Sequence, residues 1–339
     1  GGLITTKNLK HAANSFLSSG NKQTWQAPDA SAWQNRTFNG YHRADGSVGT
    51  ANYWLVIPMV FCENRNVAVL QEALVKPLGY GRKKVYEVKA QQLINMVKGG
   101  VSVDEVLYTE IGSGTEGEKA PKVFPNVDGI KFLTHEGGCG GIRQDAITLC
   151  GLLAGYITHP NVAGATVLSL GCQNAQVSML QEQIAKRDPN FSKPLYIIDQ
   201  QKTGKESVML EQALRQTLAG LIQANQNVRK PAPLSKLTIG LECGGSDGFS
   251  GLSANPAIGY TSDLLVALGG SVILAEFPEL CGVEQNLIDR CVDQSKAERF
   301  TGLIRTYAQR AEEAGSGFDM NPSPGNIKDG DRKSVVQGQ

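Results

Sequence analysis

Short apolar runs alternate with helical stripes along most of this chain, and that alternation confines it to parallel βαβ units. Tyr53-Trp54-Leu55-Val56-Ile57-Pro58-Met59-Val60 is almost wholly apolar, as a strand buried on both faces must be. Ile130–Thr134, Ala165–Leu170 and Leu195–Asp199 read as further strands. Helices are expected over 66–75, 143–158, 175–186 and 204–225, the second on the stripe Ile147, Cys150, Leu153, Ala154, Ile157. Residues 79–128 are mixed, with Gly112–Gly117 read as a mobile loop. Arg229-Lys230-Pro231-Ala232-Pro233 breaks the pattern and reads as a linker. A second unit follows: strand Leu237–Leu241, helix 257–268, strand Ser271–Glu276 and one long helix over 284–313. The expected fold is α/β, two Rossmann-like units with mainly parallel sheets and glycine-rich loops at the C-terminal ends of the strands. Residues 1–37, polar and weakly periodic, read as a linker or remnant, 38–230 as a middle domain and 231–339 as a C-terminal domain.

Four loops after strands share one design, a cysteine beside glycine or small polar residues. They are Phe61–Asn64, Gly137–Gly141, Gly171–Asn174 and Glu242–Asp247, carrying Cys62, Cys139, Cys172 and Cys243. Glycine lets a ligand approach the backbone closely, and loops at the carboxyl ends of parallel strands are where α/β proteins place their chemistry. The pattern suggests one site built from distant parts of the chain. Thiolate sulfur suits iron, zinc or an iron–sulfur cluster, but no CxxC pair is present, and each cysteine taken singly reads as a small core residue. Cys150 lies on an apolar helix face and reads as core.

His135 opens a glycine-rich loop, where it can be a general base or a metal ligand; the alternative is a loop histidine that caps a backbone carbonyl. Glu242 and Asp247 flank Cys243 and can move protons or bind a hard cation; Ser246 or Asp247 can equally cap the following segment. Arg143, just after the glycines at a helix start, can clamp a carboxylate or simply be solvated. Neither GxGxxG nor a P-loop lysine is present, which argues against a nucleotide site.

Net charge is +1, so no global field draws the chain to nucleic acid or an anionic membrane, and no apolar run reaches membrane-span length. Seven cysteines, an odd number without disulfide-scaffold spacing, favour a reducing cytoplasm.

Several blocks, in order from about 38 to 330, resemble the altronate and galactarate dehydratase family. Phe38–Tyr53, with Gly40-Tyr41-His42-Arg43-Ala44-Asp45-Gly46, resembles the opening of its main body. His135–Gly141, His159–Gly164 and Leu170–Asn174 look like its middle motifs, Cys243–Gly251 with Ala254–Ala257 is similar to its most distinctive block, and Asn321–Asn326 to its C-terminal loop. The resemblance implies a lyase that removes water from a sugar acid, with Phe61–Asn64 and His135–Gly138 closer to the altronate branch, whose product is 2-keto-3-deoxygluconate. A galactarate dehydratase and a sulfolactate sulfo-lyase subunit share the same body, and a non-catalytic sugar-acid-binding subunit is the alternative. The implied cofactor is a divalent metal, Fe2+ or Mn2+, with an iron–sulfur cluster as the alternative. On this reading Cys62, Cys139, Cys172 and Cys243 face the metal. His135 is the base, and Asp247 or Glu242 the acid. Arg143, Asn174, Ser246, Asn321 and the amides of Gly137, Gly138, Gly244 and Gly245 hold substrate oxygens. The expected partners are a small-molecule sugar acid and either further copies of the chain or a separate small N-terminal-domain subunit, without nucleic acid or membrane. Many family members carry Arg where this chain has Ala51, which implies one substrate-carboxylate contact fewer, and 331–339 do not continue the family pattern.

Overall fold

The computed structural model describes residues 25–81, 85–112, 121–242, 244, 249–280 and 284–317. Residues 113–117 of the expected mobile loop lie outside them. The chain divides into two compact units, one of residues 39–231 and one of 1–38 with 232–339.

The unit of residues 39–231 is built on a four-stranded parallel sheet. In chain order its elements begin with β1 (Thr37–His42), which crosses the division, β2 (Val48–Gly49), β3 (Tyr53–Pro58) and α1 (Asn64–Val75). Next come α2 (Val85–Lys98), α3 (Val103–Tyr108), β4 (Gly129–Phe132), α4 (Arg143–Thr158) and β5 (Val162–Ser169). The unit closes with α5 (Val177–Arg187), β6 (Leu195–Asp199), α6 (Gln200–Thr203) and α7 (Glu206–Ala224). Sheet order is β4-β3-β5-β6, all parallel. Alternation along β3 explains the layers. Trp54 and Val56 join Val67, Leu70, Met209, Ala213 and Leu221, so α1 and α7 cover one face. Leu55 and Ile57 join Ala146, Leu153, Ile157, Leu180 and Ile184, so α4 and α5 cover the other.

Trp54 is fully buried and keys the first layer. Its Nε1 donates to Thr166 Oγ1 at 3.1 Å, and that hydroxyl meets Thr217 Oγ1 at 2.7 Å. The indole fills a slot whose two walls must be glycine. A Cβ on Gly164 would lie 2.5 Å from the ring, and one on Gly220 2.0 Å.

At the amino end of the sheet, two of the sequence blocks prove to be a clasp. Arg43 Nε donates to Pro160 O at 2.7 Å, and Asn161 Oδ1 accepts from the Thr50 and Ala51 amides at 2.7 and 3.2 Å. Gly49 packs so closely on Pro160 that a Cβ there would stand 2.3 Å from its carbonyl. Lys193 Nζ donates to Thr158 O and His159 O at 2.9 and 2.7 Å, closing the end of α4, while burial and the nearby Arg43 charge bring its pKa down to about 8. Ala51 therefore stands at the opposite end of β3 from Cys62, a separation of about 20 Å for six strand residues. Its backbone N–H and C=O are bonded within the clasp, to Asn161 Oδ1 and Arg43 Nη2.

Three readings are corrected. Residues 79–128 contain α2 and α3, the latter begun by a reciprocal Ser102–Glu105 cap. The apparent linker at 229–233 is largely strand β7 (Lys230–Pro233), at the edge of a sheet ordered β2-β1-β7. Prolines suit an edge because they have no N–H to donate. The long helix is two, α9 (Glu284–Arg290) and α10 (Gln294–Glu313), because Asp293 breaks the run by capping Lys296 N–H at 2.9 Å.

In the other unit, β8 (Thr238–Leu241) and β9 (Ser271–Leu274) pair in parallel, joined through α8 (Ala254–Ala267). Trp25 Nε1 donates to Asp263 Oδ1 of α8 at 3.1 Å, so the N-terminal segment read as a linker is anchored from at least that residue.

Gly220→Ala should cost about 1–3 kcal/mol through overpacking against Trp54, measured as a lower urea midpoint with an unchanged slope. Retained wild-type stability would show that the slot has slack.

Candidate functional site

β3 lies between β4 and β5: the chain goes from β3 to β4 past α1 on one face of the sheet, and from β4 back across to β5 through α4 on the other. At such a reversal the loops leaving neighbouring strands part and open a crevice beyond the carboxyl edge. Three of the four cysteine loops follow β3, β4 and β5 and meet there.

Backbone carbonyls stitch them together. Gly137 O accepts from Phe61 N–H at 3.0 Å and Gly138 O from Ala175 N–H at 3.1 Å. Cys139 O accepts from Asn174 Nδ2 at 2.6 Å. Gly138 has φ +100°, and a Cβ there would stand 2.2 Å from Met59 O, so only glycine lets the middle loop lie across the end of β3. Gly171, at φ +108°, is pressed in the same way by Gln201 and Asp199. Buried Gln173 holds the third loop from inside: its Oε1 accepts from Gly171 N–H and its Nε2 donates to Ser169 Oγ, both at 2.7 Å.

Donors are left over. Among the described residues, the N–H groups of Gly138, Cys139, Gly140, Gly141, Cys172, Gln173 and Asn174 meet no acceptor. Successive amides beside a left-handed glycine form an anion-holding concavity. The start of α4, directly after Gly141, adds the positive end of a sixteen-residue helix.

The expected residues fall into three groups. Cys62, Cys139, Cys172, His135, Gly137, Gly138, Arg143 and Asn174 all stand on or beside this edge. Glu242 and Gly244 follow β8 in the other unit. Cys243, Gly245, Ser246, Asp247 and Asn321 lie outside the described residues. Arg143 is exposed at the start of α4.

His135 is engaged through both ring nitrogens. Nε2 lies 2.8 Å from Pro58 O, and Nδ1 accepts from Gly137 N–H at 3.2 Å. The geometry matches the reading of a histidine that caps a carbonyl.

Cys62, Cys139 and Cys172 are exposed thiols, whereas Cys150 is fully buried, and burial pushes its thiol up to about 11. Among the described residues no three His, Cys, Asp or Glu side chains stand close enough together to hold a metal ion. The three thiols are therefore not a ligand set by themselves, and the expected fourth donor, Cys243, is outside the described residues.

Two acids at this edge escaped the sequence reading. Asp199 ends β6 and caps α6 through Lys202 N–H at 3.3 Å. Glu63, next to Cys62, is 1% exposed, with Asn66 Nδ2 donating to its Oε2 at 2.8 Å. Burial raises its pKa, opposed by the Asn66 bond and reinforced by Glu206. The available signal was a carboxylate inside one of the cysteine loops.

The fold is that of an α/β protein in which three glycine- and cysteine-bearing loops meet at the carboxyl edge of a parallel sheet. The chain belongs to the D-galactarate dehydratase/altronate hydrolase family: residues 40–225 match that family's second domain, and 234–333 the D-galactarate/altronate dehydratase C-terminal domain. Altronate dehydratase of Bacillus subtilis (strain 168) is 30% identical over 86% of this chain and 49% of its own length. Altronate dehydratase of Escherichia coli (strain K12) is 31% identical over 84% of this chain and 48% of its own length. Galactarate dehydratase (L-threo-forming) of Escherichia coli (strain K12) is 34% identical over 51% of this chain and 34% of its own length. The chain thus spans about half the length of these altronate dehydratases.

Thiol alkylation of the folded protein, read by peptide mass spectrometry, should modify Cys62, Cys139 and Cys172 and leave Cys150 until the chain unfolds. Early modification of Cys150 would contradict its place in the core.

Glu63 gives a pH prediction. Its native proton is held more tightly than in the unfolded chain, so its contribution is fullest below the ordinary carboxylate pKa of about 4.3 and is lost as pH rises through the native value. Glu63→Gln should raise the melting temperature at pH 8 and leave it nearly unchanged at pH 4. An equal shift at both would remove Glu63 as the source.

Proposed function

We propose that this chain forms the oxyanion-holding part of a sugar-acid dehydratase site, acting on D-altronate to give 2-keto-3-deoxy-D-gluconate. The observation that carries the reading is the run of seven backbone amides without acceptors, among the described residues, on loops Gly138–Gly141 and Cys172–Asn174. A carbon beside a carboxylate gives up its proton reluctantly, because the resulting charge collects on the carboxylate oxygens. Fixed donors aimed at those oxygens stabilise that charge without reorganising, an effect worth about 3–4 kcal/mol for a single such donor. The amides would hold the carboxylate, and Asn174 and Arg143 the hydroxyls. An acid then helps the 3-hydroxyl depart as water, and the enol product becomes the 2-keto-3-deoxy acid. A base takes the carbon-bound proton, and Asp247 or Glu242 is our candidate for the acid that gives a proton to the departing hydroxyl.

No step is routed through a metal, because the described donors do not form a ligand set. Metal analysis belongs to the same experiment: one iron or manganese per chain, lost on Cys139→Ser and Cys172→Ser, would bring these thiols into coordination. We propose further copies of this chain or a separate small subunit as partners in the active assembly, a reading supported by the similarity to a protein named as the beta subunit of (2R)-sulfolactate sulfo-lyase. Among the described residues no helix is long and apolar enough to cross a membrane, and we propose a cytoplasmic enzyme.

The test is incubation of the protein with D-altronate, D-galactarate or sulfolactate, with Fe2+ or Mn2+, assayed for keto-acid or sulfite. Keto-acid from altronate is expected. Saturable altronate binding without product from any substrate would replace the reading with that of a sugar-acid-binding subunit.

A further inference from the structure

We propose that His135 is the positioning residue of this edge, an imidazole that ties the end of β3 to the root of the glycine loop and sets where the free amides stand. The inference rests on the reading of this edge as the substrate-holding edge, and it assigns His135 a role other than proton transfer.

The hydrogen bonds fix its tautomer. Nδ1 accepts from Gly137 N–H, so the ring proton is on Nε2, which donates to Pro58 O, the last residue of β3. The residue's own carbonyl accepts from Asn64 Nδ2 at 3.0 Å, at the first residue of α1. One residue thus bonds the strand that enters the site, the helix that leaves it and the loop between β4 and α4. The carbonyls of Gly137, Gly138 and Cys139 then bond the neighbouring loops in turn. With the carbonyls of 137–139 turned to those partners, the Gly138–Gly141 amides remain for a ligand. Releasing the ring would free the root of this chain of bonds, and Phe61 and Ala175 would lose their fixed acceptors. A proton-transfer role requires breaking one of the two ring bonds first.

Amide side chains separate the two roles, since they can copy an arm of the ring but cannot carry a proton. Asn at 135 can accept from Gly137 N–H in an Asx-type turn, and Gln can extend a donor toward Pro58 O. The experiment compares His135→Ala, His135→Asn and His135→Gln with the wild type, without substrate and then in turnover. In His135→Ala, hydrogen exchange at the Phe61 and Ala175 amides should accelerate by about 10-fold or more, as for local opening, and alkylation of Cys62 and Cys139 should change with it. Exchange at Ile198 in β6 should stay as in the wild type. Asn and Gln should each restore part of the protection and keep turnover above the loss of about 100-fold or more expected on removing a general base, with both limbs of the pH profile in place. Unchanged exchange and alkylation in His135→Ala would overturn the proposal. So would Asn and Gln variants with wild-type protection that are as inactive as Ala and lack one pH limb. If His135→Ala does not fold, the exchange comparison is made on His135→Gln, where loss of Gly137 protection alone is expected and full protection overturns the proposal. The exchange and alkylation arms need no substrate, so an inactive wild type would count against the dehydratase reading while leaving the positioning role to be judged separately.

Discussion

The pairing of β3 with β4 on one side and β5 on the other is the constraint on which the rest of the middle unit depends. It places the first core strand at the centre, sends successive crossovers to opposite sides and opens the crevice where three loops meet. Trp54 holds that centre. Its indole fits because Gly164 and Gly220 give up their side chains to it, and its N–H is satisfied by a threonine pair. An unpaired indole donor in this layer would carry the cost of a buried polar group.

The two ends of the sheet divide the labour. At the amino end, Arg43, Asn161 and Lys193 bond exposed backbone carbonyls and amides and hold the hairpin of β1 and β2 in place. At the carboxyl end, carbonyls are used up between loops and amides are left over. The proposed anion-holding role rests on this asymmetry: N–H dipoles can attract negative oxygen without a full positive charge, so the net charge of +1 does not bear on it. Glycine is required at 138 and 171 for a local reason, since backbone or side-chain oxygens occupy the space a Cβ would need.

Much of the α/β order was legible because buried parallel strands are nearly continuous apolar runs and their helices carry stripes. What failed, failed for identifiable reasons. α2 and α3 bury no residue among those described, so no apolar stripe announced them. β7 was hidden by its two prolines, which an edge tolerates. The split between α9 and α10 depends on one capping aspartate inside an otherwise helical pattern.

The sequence by itself singled out loops that lie against one another, because glycine, cysteine and small polar residues after apolar runs mark close backbone approach. It also determined family membership, through blocks that need many residues in order. Tertiary structure alone decided what the residues do. It placed three of the four cysteine loops together, turned both nitrogens of His135 to the backbone, buried Glu63 and sent the blocks around Arg43 and Asn161 to the opposite end. Spacing along a chain fixes the faces of strands and helices, whereas the partner of a given nitrogen or carboxylate depends on which distant loop folds against it.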